Sequence, residues 1–172
     1  MITDIFTLLV RFIFLVGLQV TILNNIQLNG YINPYLYVLF ILLLPVKFPK
    51  IPAMLIAFFV GVTIDIFTNT IGIHAGATVF MAYARPFVLK IFSPRDGYET
   101  DATPNIKDLG LQWWLAYSSV MVLIHHFALF YLEAFRLTEF FSTFLRVVLS
   151  TIATLILVLI TQFLFGKSKR ER

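Results

Sequence analysis

The 172-residue chain contains no cysteine, which excludes disulfides, thiolate metal sites and cysteine nucleophiles. It also lacks a long polar interval. The longest, Ser93 to Asp108, is enough for a loop but not for a separately folded domain. Charged residues make up 13% of the chain, against about 25% in soluble domains. No HExxH, no phosphate-cradling glycine motif, no serine-centred elbow and no internal repeat occurs. The loops leave no room for an enzymatic domain, so any chemistry falls to the apolar segments.

Those segments dominate. Hydrophobic residues account for 59% of the chain, with 19 Phe, and the mean hydropathy is +0.89, whereas soluble domains are roughly 45 to 50% apolar. We read an all-α integral membrane protein forming a single domain over residues 1–172. A hydrocarbon core about 30 Å thick takes roughly 20 helical residues, and six segments meet or approach that length: about 5–23, 31–45, 51–68, 72–92, 111–135 and 140–165. The first is expected to be a retained anchor rather than a signal peptide, because its apolar run is too long, Arg11 interrupts it and no small-residue cleavage site follows. The second is cut short by Asn33-Pro34 and Pro45, and is expected to be either a short helix or a re-entrant one buried against its neighbours.

The net charge of +4 would suggest a polyanion partner in a soluble protein, but here the basic residues gather beside apolar segments. That pattern points to orientation in a membrane and not to nucleic acid. If all six segments cross, one side receives Lys47, Lys50, Lys90, Arg95, Lys107 and the tail GKSKRER, while the other receives only Arg136. The positive-inside rule then makes both termini, the loop 93–110 and the tail 166–172 cytoplasmic. NNIQLNGYINP and NTIG face outward, and Trp113 and Trp114 are expected as anchors at the cytoplasmic interface.

A charge near the bilayer centre costs about 2.5 to 3.5 kcal/mol on insertion scales, so each such residue needs a partner or a wet cavity. Asp65, His74, Glu133 and Arg146 are expected to share an outer layer, with Asp65 or Glu133 neutralising Arg146. Arg11 and Arg85 are expected to snorkel to the cytoplasmic headgroups. Arg85, preceding Pro86, also stands where a kink would free a carbonyl that needs a donor. His125 and His126 are adjacent and point about 100° apart on a helix, so at most one can face a given site, which argues against zinc. Three readings of the outer set remain: an acid–base pair of Asp65 and His74, a small-molecule pocket, and structural pairing between helices, which we favour. Gly61 lies four residues before Asp65 on one face of the third segment, and Gly72 and Gly76 open the fourth, a spacing that lets two backbones approach closely.

With these features placed, the chain resembles the MreD family, integral-membrane rod-shape-determining proteins of bacteria, and in particular its Bacteroidetes-type members. The resemblance covers nearly the whole chain, from RFIFLVGLQVTILNNI through YINPYLYVLFILLLP to the last span. It is most specific in GVTIDIFTNTIGIHAGATVFMAYARPF, with Gly61, Asp65, Gly72, His74 and Ala75 in the family's order, and extends to SPRDGYE and His125-His126. It implies a non-enzymatic, cofactor-free role in the cell-elongation machinery of the cytoplasmic (inner) membrane. The implied partners are MreC directly, then MreB, RodA, a penicillin-binding transpeptidase and RodZ, with membrane lipid and no nucleic acid. It also implies a six-helix transmembrane bundle similar to the substrate-binding components of energy-coupling-factor transporters. The rival reading is therefore a small-molecule-binding subunit of a vitamin-type transporter, with its pocket in the outer half. On the scaffold reading, the outer surface around Tyr31 to Tyr35 and Glu133 to Glu139 would meet MreC, and the loop SPRDGYETDATPNIKD and the basic tail would face MreB or anionic lipid.

Overall fold

The computed structural model describes residues 2–26, 31–99, 102–134 and 140–166. Arg136, Glu139 and the basic residues of the tail lie outside them. The helices are α1 (Ile2–Thr21), α2 (Leu39–Leu42), α3 (Lys50–Thr68), α4 (Ile73–Ile91), α5 (Ile106–Leu109), α6 (Leu111–Ala134) and α7 (Phe140–Phe165), with 3-10 turns at Leu23–Asn25 and Leu36–Val38. Among the described residues, four stretches are long and apolar enough to cross a membrane: Phe6–Asn25, α3, α6 and α7. They make this a helical membrane protein. Helix α4 is 19 residues long and less apolar, because it carries His74, Arg85 and Lys90.

Large apolar side chains stand outward on the long helices: Phe6, Ile13, Phe59, Ile66, Phe141 and Phe163 are all exposed, while Gln19, Thr78, Ser118, Ser150 and Thr154 are fully buried. This distribution suits a solvent of lipid tails, in which hydrogen bonding inside the bundle replaces hydrophobic burial as the specific glue. Helices α3 and α4 form an antiparallel hairpin, α6 packs along α4, and α7 packs along α6. The α3–α4 turn marks one end of the bundle. The loop between α4 and α5 marks the other, folded back so that Tyr98 donates to the Leu89 carbonyl at 2.8 Å and Trp113 Nε1 to the Phe92 carbonyl at 2.7 Å.

Residues 31–45 take one of the two expected forms: a short buried helical stretch over 36–42, preceded by non-helical backbone and not re-entrant. After Tyr31, residues 33–35 lack helical structure, followed by one 3-10 turn and one α turn, and Tyr37, Val38, Ile41, Leu42 and Leu44 are completely buried. The segment begins beside the N-terminal end of α7, where Tyr31 Oη donates to the Ser142 carbonyl. It ends at the opposite loop, where Val46 N donates to the Ala102 carbonyl at 2.9 Å. It therefore threads the interior from end to end. Part of it is stretched at about 3.3 to 3.6 Å per residue instead of the helical 1.5 Å, so few residues cover the distance.

Candidate functional site

Non-helical backbone at membrane depth is viable only when protein encloses it and satisfies its polar groups. Here that task falls to side chains of the surrounding helices. Gln19 on α1, fully buried, donates Nε2 to the Pro34 carbonyl at 3.1 Å and accepts from the Leu36 N–H at 2.7 Å. On α7, Ser150 Oγ accepts from the Asn33 N–H at 3.1 Å and Thr154 Oγ1 from the Tyr35 N–H at 3.0 Å. At the other end, where a helix leaves carbonyls without intrahelical partners, Tyr117 donates to the Leu42 carbonyl at 3.3 Å. Arg11 reaches the Leu43 carbonyl at 3.4 Å, and Arg85 NH2 donates to the carbonyls of Leu44 and Pro45. Cations are favoured at such a carbonyl end.

Arg85 thus does not snorkel. It is 2% exposed, and its Nε also donates to Tyr117 Oη at 3.1 Å. The carbonyls it serves belong to the threaded segment and not to its own helix beside Pro86. Trp114 likewise departs from the interface-anchor expectation, being fully buried, whereas Trp113 is half-buried and stacks on Tyr117.

The α3–α4 corner has its own logic. Helix α4 begins after Gly72, whose φ of +76° suits glycine but offers no side chain to cap the helix. Asp65 supplies the cap from α3: Oδ1 accepts from the His74 N–H at 3.0 Å and Oδ2 from the Ala75 N–H at 2.9 Å, with Thr70 Oγ1 donating to Oδ1 as well. A carboxylate at the positive end of a helix dipole is stabilised there. Gly61 sits one turn earlier, where an added methyl would lie 2.6 Å from the Ala75 nitrogen and 2.8 Å from the His74 carbonyl carbon. Only glycine admits that approach. Gly76 faces Leu132 at ordinary contact distance.

Arg146 pairs with Glu133, NH1 to Oε2, at 3.1 Å, and its guanidinium lies 4.3 Å from the Phe130 ring centre. Asp65 takes no part in that neutralisation. His74, Glu133 and Arg146 do converge, with Tyr35, Asn33 and Thr70, on a cavity of about 190 Å³ at the hairpin end.

Inward from that cavity runs a chain of hydrogen bonds. His74 Nδ1 lies 2.8 Å from Tyr37 Oη, which lies 2.9 Å from His125 Nε2. His125 Nδ1 is 3.5 Å from His126 Nδ1, and His126 Nε2 is 3.0 Å from Thr154 Oγ1. His126 Nδ1 also sits 2.9 Å from the Val122 carbonyl, which only accepts, so in a neutral ring the proton is on Nδ1 and Nε2 accepts from Thr154.

The two histidines of α6 are adjacent and turn to different partners. Their rings diverge, His125 toward Tyr37 and His126 toward Thr154, yet both are completely buried and both pack against the Tyr35 ring. Among the described residues no group of three histidine or acidic side chains is placed to hold a metal ion. Gln19, Tyr37, Tyr117 and Thr154 carry much of the arrangement without having been singled out from the sequence. The signal open to view was polar residues at helical spacing on α7, Thr143, Ser150, Thr154 and Gln162, all on its buried face.

Against known proteins the chain gives no match: no family model, no curated protein and no solved structure is similar to it.

Proposed function

We propose that the chain is a non-enzymatic scaffold of the bacterial cytoplasmic membrane, acting in the cell-elongation machinery as its resemblance to MreD implies. In this reading α1, residues 31–45, α3, α4, α6 and α7 are six crossings, the hairpin end faces outward, and both termini are cytoplasmic. The outer end would meet MreC, with MreB, RodA, a penicillin-binding transpeptidase and RodZ in the same assembly. The observation that supports it most is the filled interior. Residues 31–45 occupy the centre, held by side chains of α1, α4, α6 and α7, which suits a rigid body presenting fixed surfaces better than a carrier that must open around a cargo.

The vitamin-type transporter subunit is the second reading, favoured by the cavity at the hairpin end. At about 190 Å³ that cavity falls below the roughly 300 to 1,000 Å³ of pockets that enclose drug-sized ligands.

Affinity purification in mild detergent, with mass spectrometry of proteins and small molecules, separates the two. An MreC-like protein in the eluate, together with rounded cells on loss of the gene, is the expected result. A retained vitamin-sized molecule with an ATPase module would overturn the scaffold reading.

A further inference from the structure

Lys50 opens α3, and its ammonium points away from the helix end. Nζ lies 3.6 Å from the centre of the Tyr83 ring and 5.1 Å from that of Phe87, both on α4. The close approach of Gly61 to Ala75 sets the register of the two antiparallel helices. Counting from it puts Lys50 about level with Pro86, and Tyr83 about one 5.4 Å turn further in. A lysine at the edge of a bilayer ordinarily extends toward the headgroups and water; this one bends inward over a ring. Tyr83 and Phe87 are exposed on the flank of the bundle, and Phe80, also exposed, continues their row deeper along the same helix face.

No acid answers that charge. The first turn of α3 carries none, and Pro49 at the N-cap supplies no side-chain hydrogen bond, so the positive end of the helix dipole adds to the lysine. Lys47 is exposed just before it, and Lys90 lies in the last turn of α4. Among the described residues the Lys50 ammonium has no ion pair or hydrogen bond, and Tyr83 Oη has no hydrogen-bond partner. A cation resting on ring faces, with its donors open and an apolar row running inward beneath it, matches an amphiphile with an anionic head and a hydrocarbon tail. A phosphodiester oxygen would accept from Lys50 Nζ and Tyr83 Oη, while an acyl chain follows Tyr83 to Phe80. A free phosphate would answer the charge and leave the aromatic row bare. A zwitterionic lipid would bring a second cation to a place with no acid to receive it.

We infer that the α3–α4 seam at the Lys50 end binds one anionic phospholipid, its phosphate held by Lys50 and Tyr83 and its acyl chain laid along Tyr83 and Phe80. The site requires α3 and α4 to lie in the bilayer and is independent of the scaffold reading, since binding is measured on the purified chain without MreC or any other partner.

The test is native mass spectrometry of the full-length protein in mild detergent, titrated with phosphatidylglycerol, with phosphatidylcholine of the same acyl chains, and with inorganic phosphate as competitor. One phosphatidylglycerol is expected to bind about fivefold or more tighter than phosphatidylcholine, the worth of one basic residue beside an anionic surface, and phosphate should not displace it. K50Q should bring phosphatidylglycerol down to the phosphatidylcholine level, and K50R should keep the preference. K107Q, which removes an exposed cation from α5, should leave it unchanged. Equal affinity for the two lipids overturns the proposal, as does an equal loss in K50Q and K107Q, which describes diffuse attraction to basic residues. Displacement by phosphate would make this a free-anion site, and a dimer that K50Q dissolves would give the seam to a second copy; either overturns it. The comparison of lipids on the unaltered protein supports or overturns the site even if a variant fails to fold.

Discussion

Asp65 caps a helix to which it does not belong: its Oδ2 accepts from the backbone N–H of Ala75, the third residue of α4, at 2.9 Å. The bond crosses the α3–α4 corner and turns two sequential helices into one hinge-free unit. It also accounts for an acid within an apolar stretch, because three hydrogen bonds and a helix dipole replace the hydration that the carboxylate gives up.

Removing that cap should be costly in proportion to the acceptors lost. D65A leaves the His74 and Ala75 N–H groups without partners and is expected to destabilise the protein by about 2 kcal/mol. D65N, which retains one carbonyl oxygen, should fall between D65A and the unaltered chain. Thermal unfolding in detergent gives the order, and D65A as stable as D65N would rule out the cap. On the scaffold reading D65N should also weaken MreC co-purification and rod shape; unchanged behaviour in both would remove Asp65 from that role.

The glycines give a matched comparison. A methyl at Gly61 collides with the backbone of α4, whereas one at Gly17, in the second half of α1, meets nothing within 4 Å. G61A is therefore expected to lower the unfolding temperature and impair folding. G17A should be neutral or stabilising by up to about 1 kcal/mol, since alanine is the better helix former. Equal effects of the two substitutions would show that the close approach at Gly61 does not matter.

The length of the apolar runs and the glycine spacing made the long elements legible. The segment expected at 51–68 is α3 at Lys50–Thr68, that at 72–92 is α4 at Ile73–Ile91, and that at 140–165 is α7 at Phe140–Phe165. Such patterns are local, and each element carries its own. Residues 31–45 read as one more apolar run because what shapes them is remote: Asn33 is held by Ser150 and Tyr35 by Thr154, over a hundred positions along the chain. Arg85 was misplaced for the same reason. An arginine two turns from a helix end is a candidate for snorkelling until the carbonyls of Leu44 and Pro45 are brought beside it. Asp65 was easier, because its partners His74 and Ala75 follow within one tight turn.

The six-crossing arrangement places Lys47 and Ile71 on opposite sides of the membrane. Both are exposed, Ile71 almost completely at 98%, and the chain has no cysteine of its own. In intact spheroplasts K47C and I71C should thus differ, I71C reacting with an impermeant maleimide from outside and K47C only after the membrane is opened. Labelling of both from outside would mean that α3 does not cross.

Gln19 gives the sharpest test of how the centre is held. By insertion energetics alone Q19L should help, because it makes α1 more uniformly apolar. The packing argues the opposite. Gln19 is fully buried and serves both the Pro34 carbonyl and the Leu36 N–H, and a leucine would strand both, at about 1 to 3 kcal/mol each. T154V removes the acceptor for Tyr35 and the donor to His126 in the same way. Q19L and T154V are each expected to insert normally yet unfold at lower temperature in detergent. A Q19L protein more stable than the original would mean that the threaded backbone does not depend on side-chain partners.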